Sequence, residues 1–240
     1  NVDVADLVRA EVIRGPASAM HGNAAGGVIQ LHSDGGPGVT GNGISSVRVE
    51  TGEHGLVRTQ GSLALAVRAF EYGFTGSRLR YDGYRDWNEA QNDRFGFHAR
   101  GDVGDRRLGV TFNWVDYDAQ NPGGLSRAIL DTNRRVAFTN NLRFQTGERG
   151  NQGQLGVTWQ QPIRGAQLDL SAHGLQRDVD NPIPNRIVVI DRAAGGARAV
   201  LSGAPSIGRR ALRLSGGAEW QIQRDDRLNY VNVDGSRGAV

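Results

Sequence analysis

From Ile44 onward the chain alternates apolar and polar positions with a period of two, the signature of β-strands with one apolar face. Val57, Thr59, Leu63, Leu65 and Val67 alternate with Arg58, Gln60, Ser62 and Ala66. Phe70, Tyr72 and Phe74 alternate with Glu71, Gly73 and Thr75; Phe95, Phe97 and Ala99 with Arg94, His98 and Arg100. Leu108, Val110, Phe112 and Trp114 face Thr111 and Asn113, and the pattern returns at Leu155–Trp159, Leu168–Ala172 and from Leu212 to Trp220. It weakens over 186–202, where a single strand is expected. The pattern predicts about nine strands over residues 44–240.

Alternation alone does not separate a soluble sandwich from a membrane barrel, because each has one apolar face. Three features favour the barrel. The strands reach about eleven residues, the span of a tilted membrane strand, whereas globular strands centre near ~5–6. The opposite face carries large polar groups suited to a wet lumen. Aromatic residues recur near strand ends, at Phe70, Tyr72, Trp114, Trp159 and Trp220, as interfacial girdles require. The connections point the same way: tight turns near 67–69, 103–106, 162–166 and 204–208, long ones at 81–92, 118–150 and 178–195. Short turns on one side and long loops on the other are barrel anatomy. The connection 53–55 is the short exception. A passive porin, a barrel hydrolase and a soluble β-sandwich binding module share the alternation.

Residues 10–31, AEVIRGPASAMHGNAAGGVIQL, follow a different plan. Val12-Ile13 suits a short strand, Gly15-Pro16 breaks it, and a small-residue turn follows. Gly22-Asn23 tolerates positive φ, Gly26-Gly27 allows close backbone approach, and 28–31 resumes as strand. By itself this is an ordinary strand–turn–strand unit. Residues 33–43, SDGGPGVTGNG, have the composition of a flexible linker.

Glycine is abundant, at 35 residues, without a three-residue period and with only 7 prolines, which excludes collagen and suits many short turns. The net charge is +3, every basic residue is arginine, and the arginines are interleaved with acids as in Arg85-Asp86 and Arg177-Asp178. No basic patch of the kind nucleic acid requires is present, so no nucleic-acid partner is expected. There is no cysteine, hence no disulfide framework or cysteine metal site. No apolar run approaches the ~20 residues of a spanning helix. With no initiator methionine and no signal-peptide pattern at its start, the sequence is expected to be a fragment.

Chemistry-bearing motifs are sparse. His21, His32, His54, His98 and His173 have no metal-ligand spacing, and no nucleophile elbow or phosphate loop occurs. His98 and His173, near Arg100 and Asp169, read as polar lumen lining. One cluster stands out: Arg80, Tyr81, Tyr84, Arg85 and Trp87. Arginine with aromatics can bind an anionic, partly aromatic ligand by charge and stacking. The same residues can instead anchor the base of a loop.

The segment 10–31 resembles the closing part of the plug domain of TonB-dependent outer-membrane receptors. Glu11, Arg14, Gly15, Pro16, Ser18, Gly22, Gly26, Gly27, Val28 and Ile29 fall on that family's pattern, while His21 replaces a more usual tyrosine. The resemblance implies residues 1–43 as the end of an α+β plug with its linker. It implies 44–240 as the first part of an all-β, antiparallel transmembrane barrel, about nine of ~22 strands. It further implies a siderophore-type receptor of the Gram-negative outer membrane, not an enzyme, with no covalent cofactor and an iron–siderophore complex as cargo. Its partners would be outer-membrane lipid and TonB with its inner-membrane energising complex, whose contact box would precede Asn1. Glu11, Arg14, Gly15, Pro16, Gly22, Gly26 and Gly27 would carry the plug motif and its contacts with the barrel wall. Arg58, Glu71, Arg94, Arg100, Arg213 and Glu219 would supply lumen-facing partners.

Overall fold

The computed structural model describes residues 7–15, 26–33, 44–207 and 210–240. Strands β1 (Leu7–Arg14) and β2 (Gly27–Ser33) pair antiparallel as a separate two-stranded sheet, with Arg14 opposite Gly27 and Val12 opposite Ile29. Everything after them is built on one sheet of ten strands in the order β14-β13-β10-β9-β8-β7-β6-β5-β4-β3. Its members are β3 (Ile44–Thr51), β4 (Val57–Val67), β5 (Phe70–Tyr81), β6 (Ala90–Val103), β7 (Arg106–Gln120), β8 (Gly147–Ile163), β9 (Ala166–Ile183), β10 (Arg186–Gly203), β13 (Leu214–Val233) and β14 (Ser236–Arg237). A small hairpin of β11 (Ser206–Ile207) and β12 (Arg210–Ala211) lies between β10 and β13. Without the two-residue β14, nine long strands remain, the number expected. Sequence neighbours are spatial neighbours throughout, and every pairing is antiparallel.

Direct cross-strand partners share a face, so the registers sort the side chains. One row runs Leu63, Phe74, Phe97, Phe112, Leu155. The next outward row runs Leu65, Tyr72, Ala99, Val110, Val157, Ala172. One residue along, on the other face, Ser62, Thr75, Gly96, Asn113 and Gln154 align. The polar face is the crowded one. A Cβ on Gly73 would strike the His98 ring, and one on Gly196 would strike the His173 ring, whereas Gly153 and Gly174 on the apolar face look into open space. Ala64 and Val115, among the most buried apolar residues, also stand on the polar face. Side chains converge on a concave surface and splay on a convex one, so the polar face is the inner one.

Among the described residues no central core is formed. The accessible surface is 15977 Å², against about 10,500 Å² for a compact monomer of 25.8 kDa. Leu155, Leu63, Leu65 and Trp114 remain well exposed on the outer face. The sheet is not closed: β3 and β13 are long edges with unpaired backbone groups, which a barrel must pair to persist in hydrocarbon.

The turn ends step along the sheet. Turn 68–69 closes on the row of Phe70 and Leu108, turn 104–105 two ladder pairs lower, and turn 164–165 lower again, beyond Gln161. That stagger is the shear that tilted barrel strands require, and stacked sandwich sheets have no need of it. Phe70 and Trp159 mark the lower margin of the apolar band and Trp114 the upper. Trp220 departs from expectation, since it stands in the interior of β13 rather than at an end.

Three connections differ from expectation. The long loop over 178–195 does not exist: β9 and β10 run through it and meet at the two-residue turn 184–185. Ile187 and Val188 point to opposite faces of β10 and are both buried, so alternation has no polar face to report there, and Ile187-Val188-Val189-Ile190 reads as a plain apolar run. The expected tight turn at 204–208 is a longer connection, 204–213, holding β11 and β12. Arg213 therefore precedes β13 instead of lining the inner wall. The connection 121–146 is long as expected, but it contains two short helices, α1 (Arg127–Thr132) and α2 (Thr139–Arg143). Ser126 caps α1 through its side-chain oxygen.

Candidate functional site

The Arg80–Trp87 cluster divides by strand parity. Arg80 and Tyr81 are consecutive on β5 and so point to opposite faces: Tyr81 inward and Arg80 outward. The other three form the base of connection 82–89. Arg85 spends its guanidinium on main-chain carbonyls across the sheet end: Nε and Nη2 donate to Val136 O at 3.1 and 2.9 Å, Nη1 to Gly123 O at 2.6 Å, and Nη2 to Pro122 O at 3.1 Å. The Asp86 N–H donates to Arg135 O at 2.7 Å. Trp87 adopts a positive φ of 57°, uncommon for a bulky residue, and its indole N–H donates to Thr146 O at 2.7 Å. The Tyr84 N–H donates to the Tyr81 hydroxyl at 3.1 Å, while the Tyr84 ring lies edge-on to His54 and under the Arg135 guanidinium.

Beneath this lies a polar nucleus that the sequence does not flag. Thr146 and Asn141 are buried: the Asn141 amide donates to Thr146 Oγ1 at 2.7 Å and to Asn121 O at 3.1 Å, and Thr146 Oγ1 donates to Asn121 O at 2.8 Å. Asn232, on the far strand β13, is buried too, donating to Phe144 O at 2.8 Å and Ile183 O at 3.1 Å and accepting from the Gly235 N–H at 2.8 Å. Arg143 joins Asp234 at 2.6 Å on the exposed side. Residues 82–89, 121–146, 183–185 and 232–235 are thus tied into one cap, and a buried amide with all its partners is a rigid joint. An asparagine followed by proline at 121–122 signals only a local turn.

The inner wall carries paired charge. Arg192 and Asp225 meet through two bonds of 2.7 Å, Arg100 donates to Glu71 at 2.6 Å, and Tyr117 donates to Glu148 at 2.6 Å beside Arg177. Arg58 approaches Glu50 at 3.8 Å, and Arg94 and Glu219 occupy the same face. His98 and His173 share a cross-strand row but stand on β6 and β9, three strand spacings or about 14 Å apart, too far to act together. Among the described residues no group of three His, Asp or Glu side chains could hold a metal ion.

Of the plug-motif residues, Pro16, Gly22 and Ser18 lie outside the described residues, as does His21. Glu11 is half-buried on β1 beside Arg9, and Arg14 is exposed at the strand end. Gly15 and Gly27 have φ of 98° and 138°, and a Cβ on Gly27 would stand 2.6 Å from Ile13 O, so this pairing needs glycine at 27.

No family model matches the chain. Solved structures do. The pyoverdine outer membrane receptor FpvA from Pseudomonas aeruginosa PAO1 superimposes with a TM-score of 0.79 at 13% identity, over 99% of this chain and 40% of that one. The ferric citrate transporter FecA gives 0.75 at 18%, over 98% and 37%. The ferric yersiniabactin uptake receptor FyuA from Yersinia pestis gives 0.73 at 15%, over 93% and 37%. The chain therefore spans about two-fifths of the length of such proteins or somewhat less. These relatives are receptors and transporters, not enzymes. The chain has the fold of a part of the TonB-dependent siderophore receptors: an antiparallel, unclosed portion of their barrel.

Proposed function

We propose that this chain is the end of the plug and the leading part of the barrel of a TonB-dependent receptor, which imports an iron–siderophore complex across a Gram-negative outer membrane. The carrying observation is a sheet apolar on its convex face and charged on its concave face, superimposing on such receptors over nearly its whole length. Coverage of 98% or more leaves room for few unmatched residues, which supports reading 1–43 as plug and linker alongside a barrel segment from 44. Outer-membrane lipid meets the convex face. TonB and its energising complex supply the work of moving the plug, because a filled pore passes nothing bulky until the filling shifts.

Uptake of iron-55 as ferric citrate, ferric pyoverdine and ferric yersiniabactin, in strains with and without the gene, tests this. Loss of one complex on deletion, and equally on removal of TonB, is expected; unchanged uptake of all ferric complexes in both strains overturns it. The plug motif has its own prediction. Glu11 and Arg14 seat the plug against the charged wall, so Arg14→Ala in the full-length receptor raises permeability to large antibiotics. Unchanged permeability with unchanged uptake would count against that role.

A further inference from the structure

The turn end of the sheet carries a feature that uptake does not use. A cleft of about 450 Å³ opens between turn 164–165 and connection 204–213. Its apolar wall includes Ile163, Ala166 and Leu214, which stand in one outward row continuous with the apolar band, and Ile163 and Leu214 are both exposed. Ser202 and Ser215, also on its lining, are bonded to each other at 3.0 Å. Arg164 and Arg213 line the same cleft.

Those two arginines differ from others at this end. Arg107 donates to Asp102 at 3.1 Å, and Arg106 has Asp105 at 3.8 Å and lies over the Trp159 ring. Among the described residues, Arg164 and Arg213 have neither an ion pair nor a hydrogen bond. Two uncompensated guanidiniums beside an apolar wall, at the margin marked by Trp159, suit an amphiphile with an anionic head.

We propose that this cleft binds one anionic phospholipid of the leaflet on the turn side, its phosphate between Arg164 and Arg213 and its acyl chains against Ile163 and Leu214. This rests on reading the convex face as the membrane wall. A free phosphate would use the arginines alone and gain nothing from the apolar wall, which is why a lipid is the occupant.

The intact receptor, purified in detergent and given phosphatidylglycerol, provides the test by native mass spectrometry, with heat-modifiable migration as the check on barrel formation. Arg164→Gln with Arg213→Gln should lower retained phosphatidylglycerol at least three-fold, and Ile163→Asn should lower it without changing binding of inorganic phosphate. Full retention by the double variant in an intact barrel, or complete displacement of the lipid by equimolar inorganic phosphate, overturns the proposal while leaving the transport reading standing. Absence of a heat-modifiable barrel in the wild type overturns both.

Discussion

The band of β4–β10 and the cap above it are held by opposite means. In the band the large apolar residues point outward and stay exposed, and order comes from an unbroken antiparallel ladder. In the cap the polar Asn141, Thr146 and Asn232 are buried along with the apolar Phe144, and hydrogen bonds join segments far apart in sequence. On the proposed function, the difference follows from the solvent each region is built for. Against hydrocarbon an exposed leucine costs nothing, but every backbone group needs an internal partner. In water the backbone can bond to solvent, so a long connection is ordered only when buried amides offer better partners than water.

The sharpest way to break this comparison is a charge in the band. Val157→Arg should destabilise the intact receptor by up to about 4 kcal/mol in phospholipid vesicles, because an arginine side chain near the midplane meets hydrocarbon. Equilibrium unfolding measures it, and a change near zero would mean that the convex face meets water. Next comes Arg85→Ala, which strips hydrogen bonds from the carbonyls of Pro122, Gly123 and Val136. About 3 kcal/mol of local stability should go, read as a roughly hundred-fold faster amide exchange across 121–146 with the band unaffected. Asn232→Ala removes the joint between β13 and the 121–146 segment, and about 2 kcal/mol of cap stability with it, visible as faster proteolysis near Phe144. Smallest is Arg143→Ala, whose pair with Asp234 is mostly solvated. A loss below about 1 kcal/mol is expected, vanishing at high salt; a larger loss would make surface charge a structural element of the cap.

Legibility followed the same division. Where one face is apolar, each strand announces itself by its own residues, so Leu63 to Val67 and Phe95 to Ala99 could be placed, and faced correctly, from the chain alone. The turns at 104–105 and 164–165 were equally local, each resting on a glycine with positive φ, at Gly104 and Gly165. The Arg80–Trp87 cluster was visible as a composition but not as an arrangement. Arg85 finds its carbonyl partners 37 to 51 residues away, and no local pattern encodes such a pairing.

By itself, then, the amino-acid order determined strands, faces, turn side and the glycine-dependent pairing of β1 with β2, because these depend on residues one or two places apart. Tertiary structure decided the rest. It extended β9 and β10 beyond the band into a hairpin, coiled 121–146 into two short helices, and enlisted Trp87, Asn141, Thr146 and Asn232 as the joints of a cap. These depend on backbone groups brought together by the stagger of the sheet, and a buried asparagine has meaning only once the carbonyls it satisfies are in place.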